Sequence, residues 1–162
     1  MRLKQFTAVL LIVCMLATIS PVAFATTEGF RDFPTGWSKE AMTAAVNNGL
    51  LVGVNATEIR PTANLTRAEL ATIVVRAFGA KTEADITAFT DVPENAWYYD
   101  YISKAVKMEA LYGKSESMMD PLKPITREEV FTALARILVL ESDNSSVLSK
   151  FKDKADVSDW AV

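Results

Sequence analysis

Histidine is absent from this 162-residue chain, and cysteine occurs once, at Cys14. Those shortages close off much chemistry. Without His, the common zinc sites and Ser-His or Cys-His catalysis are unavailable. One Cys cannot form an internal disulfide. The calcium-loop pattern of alternating Asp/Asn ending in a distant Glu is also missing, so no metal of that type is expected, and no cofactor. There is no basic excess either: 17 Lys and Arg stand against 20 Asp and Glu. A mildly acidic chain has no broad attraction for nucleic acid or anionic membranes. Neither is expected as a partner.

Residues 1–25 stand apart. Arg2 and Lys4 precede an apolar run from Phe6 to Ile19. Ser20 and Pro21 break it, and Ala23-Phe24-Ala25 offers a small-x-small cleavage site. This is the pattern of a secretory signal peptide, cleaved after Ala25. The run falls short of the ~20 residues a spanning helix needs. Cys14 follows Val13, where lipoprotein processing would want a small residue, so that route is rejected. The expected mature chain begins at Thr26, has no Cys, and carries a formal charge of 15 − 20 = −5. No membrane contact is expected after cleavage.

What remains is repetitive. Residues 37–78 set over 97–138 without a gap give 11 identities in 42 positions, including Trp37/Trp97, Gly53/Gly113, Pro61/Pro121, Thr66/Thr126, Arg67/Arg127 and Glu69/Glu129. Upstream, "FRDFPTGW" (30–37) matches "FTDVPENAW" (89–97), and "FKDKADVSDW" (151–160) begins a third copy. Self-similarity at a fixed period means one structural unit reused. Each unit reads as an extended F-x-D segment, a first helix after the Trp, a loop with Gly and Pro, and a second helix. The first helix carries Ala41, Met42, Ala45 and Val46, or Tyr101, Ile102, Ala105 and Val106. The second carries Leu70, Ile73, Val74, Ala77 and Phe78, or Val130, Ala133, Leu134, Ile137 and Leu138. Both follow i, i+3, i+4, i+7, i+8. Gly49 suits a helix C-cap. Polar connections are expected at 80–88 and 141–150.

Thr66-x-x-Glu69 and Thr126-x-x-Glu129 are capping boxes, with Leu65/Leu70 and Ile125/Val130 at hydrophobic-staple positions. Arg67 and Arg127 are not explained by helix starting. Each stands at the first helical position, where the dipole disfavours a cation. Two readings remain open here. The arginine, beside free N–H groups, receives a carboxylate or phosphate. Or it pairs with an inter-repeat carboxylate such as Asp32, Asp91 or Asp153.

The pattern F-x-D…W…G-x-x-x-G…P…(L/I)-T-R-(A/E)-E resembles the S-layer homology (SLH) repeat. The resemblance covers 30–80 and 89–140, with a third copy begun at 151–162. It implies an all-α fold of helical repeats, two main helices each joined by loops, in an incomplete pseudo-threefold bundle. It implies a secreted, non-catalytic module on the cell wall or S-layer surface. The partner implied is secondary cell-wall polysaccharide, often bearing pyruvate ketals; other SLH chains are the alternative partners, through structural assembly. Carried over residue by residue, Arg67 and Arg127 would hold the ketal carboxylate. Trp37, Trp97 and Trp160 would pack on sugar faces. Asp32, Asp91 and Asp153 would brace the groove, and Gly53 and Gly113 would offer backbone. Each has a plainer reading: the Trp residues as core, the Asp residues as turn or cap acceptors, the Gly residues as turns. Glu109 departs from the pattern, standing where the first copy has Gly49, and is expected to strain its turn. The third copy has its Trp but no T-R-x-E helix within the sequence. An incomplete or split product, or a chain that pairs with another copy, is the expectation. An enzymatic reading, such as a glycan hydrolase with paired carboxylates, finds no carboxylate pair outside the repeat pattern.

Overall fold

A computed structural model describes residues 27–141 and 145–161. The expected signal peptide, and part of the 141–150 connection, lie outside the described residues. Within them are four α-helices: α1 (Lys39–Asn47), α2 (Arg67–Phe78), α3 (Tyr99–Lys107) and α4 (Arg127–Ile137). Short 3-10 turns stand at Thr27–Gly29, Ser145–Lys150, Lys154–Asp156 and Asp159–Ala161. The fold is all-α, with no strand among the described residues.

Both capping boxes form. Thr66 Oγ1 accepts from Glu69 N–H at 3.2 Å, and Glu69 Oε2 accepts from Thr66 N–H at 2.7 Å. The same pair at Thr126 and Glu129 measures 3.3 and 2.9 Å. Each cap is worth about 1 kcal/mol. At the end of α1, Gly49 takes φ 70°, and the following Leu50 N–H returns to Ala45 O.

The unit that repeats in sequence is not the unit that packs in space. The principal helix pairing joins α2 of the first copy to α3 of the second. Leu70, Ala71, Val74 and Val75 of α2 share a core with Ile102 and Ala105 of α3, together with Met119, Leu111 and Ala133. Burying each large side chain there contributes roughly 1.5–3 kcal/mol. Phe30, Val46 and Ile59 form a smaller core under the first copy alone.

Two expectations shift. Ala77 and Phe78 are exposed, while Ala71 and Val75 are buried. Because α2 packs chiefly on α3 of the next copy, its buried arc turns past the single stripe read from spacing. The 80–88 segment is not merely a polar connection. Ile86 is fully buried, and Ala84 both donates to Ser103 O and accepts from Ser103 Oγ, tying the connection to α3.

Left-handed backbone recurs with the repeat. Gly49, Arg60 and Gly79 take φ 70°, 52° and 66°; their counterparts Glu109, Asp120 and Val139 take 60°, 55° and 52°. The second copy therefore holds side chains where the first uses glycine at two of three positions. The strain expected at Glu109 is present, and the β-branched Val139 is the more costly case.

Candidate functional site

The seam between the copies is built around Arg67. Its guanidinium is 3% exposed and fully engaged. Nε donates to Met119 O at 2.8 Å, one terminal nitrogen donates to Tyr112 O at 2.6 Å, and the other meets Glu129 Oε1 at 3.0 Å. The first-turn amides of α2 are engaged too. Arg67 N–H donates to Lys123 O and Ala68 N–H to Pro121 O. Ile125 N–H donates to Leu65 O beside them. The free N–H groups expected next to Arg67 are thus occupied by carbonyls of the second copy. The inter-repeat carboxylate is Glu129, not one of the three aspartates.

Glu129 does two things at once. One oxygen caps α4; the other receives Arg67 and Lys114. Desolvation works to raise its pKa, and the Lys114 hydrogen bond, the Thr126 N–H and the Arg67 charge outweigh it, leaving it below the ordinary glutamate value. Burial pushes Arg67 below its ordinary value, and the charges of Glu129, Asp120 and Asp91 push back. Two cations share the Glu129 carboxylate, Asp91 and Asp120 lie close enough to act on Arg67 as well, and half-exposed Lys114 is the cation that faces solvent. Exposed Tyr112 stands alongside, with the Arg136 guanidinium 4.3 Å from its ring centre.

Lys114, Tyr112 and Arg136 were not singled out from sequence. Lys114 and Tyr112 have Val54 and Val52 as counterparts, so aligning the copies hides them. Arg136 was visible only as a repeat identity. Its stacking on Tyr112 needs the fold.

The aspartates act on backbone. Asp32 accepts from Ile59 N–H and Arg60 N–H at 2.9 and 2.7 Å; Asp91 accepts from Met119 N–H and Asp120 N–H at the same distances. The Ile59 N–H leads in lowering the Asp32 pKa; partial burial opposes it, and the Arg60 N–H adds to the lowering. Asp153 is exposed beside a 3-10 turn and makes no side-chain cap. A Cβ on Gly53 or Gly113 would lie 2.5 Å from the ring of Phe30 or Phe89, so both glycines make room for the Phe of F-x-D. The three Trp residues are at the surface rather than in the core. Trp37 is 97% exposed, and Trp97 sets its ring edge-on to Tyr98. No ring contact joins a Trp to the Arg67–Lys114–Glu129 cluster among the described residues. Arg127 is exposed, and its one partner there is the Phe131 ring, 5.3 Å away.

Comparison with known proteins agrees with this architecture. The S-layer homology domain matches at residues 29–71 and 88–131. The chain is 33% identical over 158 residues to a surface-layer 125 kDa protein of Lysinibacillus sphaericus, covering 98% of this chain and 13% of that one. It is 28% identical over 135 residues to exoglucanase XynX of Acetivibrio thermocellus, covering 82% and 12%. It is 29% identical over 133 residues to a surface layer protein of Brevibacillus choshinensis, covering 76% and 12%. The chain thus spans about an eighth of the length of these relatives. With the family matched twice over more than half its length, the chain belongs to the S-layer homology domain family.

Proposed function

We propose that this chain is a secreted, non-catalytic anchoring module that binds anionic secondary cell-wall polysaccharide, with a pyruvate-ketal carboxylate as the group recognised. The observation that carries the reading is the convergence of Arg67 and Lys114 on one oxygen of Glu129, which leaves the half-exposed Lys114 ammonium at the surface of the seam. Lys114 is the accessible member and would meet the ligand carboxylate first. Arg67 sets the seam from beneath. Tyr112, held by Arg136, and the exposed Trp37, Trp97 and Trp160 offer flat faces for pyranose rings. Arg127, exposed at the start of α4, is a second anion receptor. Asp32, Asp91, Gly53 and Gly113 shape the loops that carry these groups. That a surface-layer protein and an exoglucanase share this segment fits an anchor attached to different partners.

Co-sedimentation of residues 26–162 with purified cell walls, before and after stripping the secondary polymer, tests the reading. Binding lost on stripping is expected, and Lys114→Ala with Arg127→Ala should weaken it. Both side chains are exposed enough to remove without unfolding the seam. Unchanged binding by the double variant refutes the site. A second reading, assembly through repeat–repeat association, is favoured by the exposed apolar residues Phe131, Leu138, Val139 and Leu140 on and just after α4.

A further inference from the structure

Helix α1 runs out into Asn48 and Gly49, and this is the one place in the chain where Gly follows Asn. The pairing carries chemistry of its own. The backbone nitrogen after an asparagine can attack the side-chain amide carbon, and glycine there puts no side chain in the way. Asn48 is exposed, and the space where a Cβ on Gly49 would stand is open. The second copy has Met108-Glu109 at these positions, so the chemistry belongs to the first copy alone.

The helix end holds both reacting groups. Asn48 Nδ2 donates to Ala44 O at 2.8 Å, which turns the amide back along the helix. Gly49 N–H donates to Val46 O at 2.9 Å, which opposes loss of the proton the nucleophile must shed. Both restraints last only as long as the final turn of α1 is formed. That turn is lightly anchored. Val46 is the one buried residue of α1, and the principal partner of the helix is the 3-10 turn at Thr27–Gly29 rather than another helix. Helix ends of this kind open at low free-energy cost.

We propose that Asn48 is a site of spontaneous deamidation, gated by opening of the last turn of α1. The Gly49 nitrogen forms a bond to Asn48 Cγ, the Cγ–Nδ2 bond breaks, and ammonia leaves with the proton of the Gly49 amide. Water then opens the resulting succinimide at either carbonyl, giving aspartate or isoaspartate. No oxidant or cofactor is needed. The product cannot restore the cap. A carboxylate has no donor for Ala44 O, and it sets a negative charge at the negative end of the helix dipole. Isoaspartate also adds a methylene to the main chain just before the left-handed Gly49. Directly beyond, the Leu50 and Leu51 N–H groups return to Ala45 O, and Leu51 packs on the small core of Phe30, Val46 and Ile59. The modification therefore loosens the first copy and leaves the Arg67 seam untouched.

Peptide mapping by mass spectrometry of residues 26–162, aged at mildly alkaline pH in buffer and in guanidinium chloride, tests this. Fragment ions separate Asn48 from Asn47, and an isoaspartyl methyltransferase labels the isoaspartate product. Asn48 is expected to convert in both solutions, several-fold more slowly in buffer. Ala41→Gly, at an exposed position of α1, should speed conversion in buffer about fivefold by weakening the helix. Asn48→Gln should abolish it. Asn48→Asp should lower the thermal midpoint by about 2–4 °C. Equal rates in buffer and denaturant overturn the gating. An Asn48 still intact in buffer when the denatured chain has fully converted overturns the site. An unchanged midpoint in Asn48→Asp overturns the consequence for the first copy.

Discussion

Replacing Arg67 with methionine removes the latch while keeping most of the aliphatic stem's packing. Three acceptors lose their donor: Met119 O, Tyr112 O and Glu129 Oε1, at 2.8, 2.6 and 3.0 Å. Each hydrogen bond to a charged group is worth about 1.5–3 kcal/mol, and the values do not add. Removing one partner of a buried ion pair costs about 3–5 kcal/mol. Glu129 would keep Lys114 and the Thr126 N–H, so its carboxylate would not be stranded. That places the expected loss near the low end, about 3 kcal/mol, a large share of the stability of a domain this size. Arg67→Lys keeps the charge without the fork and should fall between. Urea unfolding of residues 26–162 followed by far-UV circular dichroism measures this as a drop in midpoint at constant slope. A double cycle with Glu129→Gln should give a coupling energy of about 1–3 kcal/mol. A loss below about 1 kcal/mol with an unchanged slope would refute the view that Arg67 holds the copies together.

Other outcomes follow from the same structure. Glu129 has a lowered folded-state pKa, so its contribution is present above the ordinary glutamate range, about pH 4, and is lost as pH falls through the folded value; acid titration of the unfolding midpoint should flatten in Glu129→Gln. Val139→Gly should stabilise by about 0.5–1 kcal/mol, because φ 52° strains a β-branched residue more than it costs glycine; an unchanged thermal midpoint would count against strain at that turn. Gly113→Ala should destabilise by about 1–3 kcal/mol, since the new Cβ would press on the Phe89 ring and on Ser115 O, 2.6 Å away; a neutral result in thermal unfolding would mean that the F-x-D segment yields easily.

The helices were legible because their signals are local. Thr66-x-x-Glu69 and Thr126-x-x-Glu129 fix two helix starts without help from the rest of the chain, and Gly49 marks a helix end. The buried arc of α2 was legible only in part. Its Leu70 and Val74 obey the spacing, but Ala71 and Val75 are buried by α3, a helix 30 residues further on. The repeat showed that Arg67 and Arg127 share a motif position. It could not show that Arg67 is seated on carbonyls of the second copy while Arg127 makes no such contact among the described residues, because that depends on how the copies pack. Ile86 escaped for a similar reason. A single large apolar residue in a polar connection carries no periodicity, and the segment is held against α3 by the hydrogen bonds between Ala84 and Ser103.

Glu129 ties the structural role of the seam to its proposed binding role, and its removal should separate them. With the carboxylate present, Arg67 is held inside the seam, and Lys114 is partly neutralised. A ligand carboxylate must share Lys114 with Glu129, or draw it outward, while Arg67 remains engaged by Tyr112 O and Met119 O. Glu129→Gln removes one negative charge from between two cations. The seam should become less stable, because the buried ion pair is gone. It should also become a stronger anion receptor, because Lys114 loses its internal competitor. Stability and wall binding would therefore move in opposite directions in one variant, at a temperature where it stays folded. If both fall together in parallel unfolding and co-sedimentation measurements, the cations serve the fold alone and the proposed site at the seam is refuted, with exposed Arg127 the next residue to test.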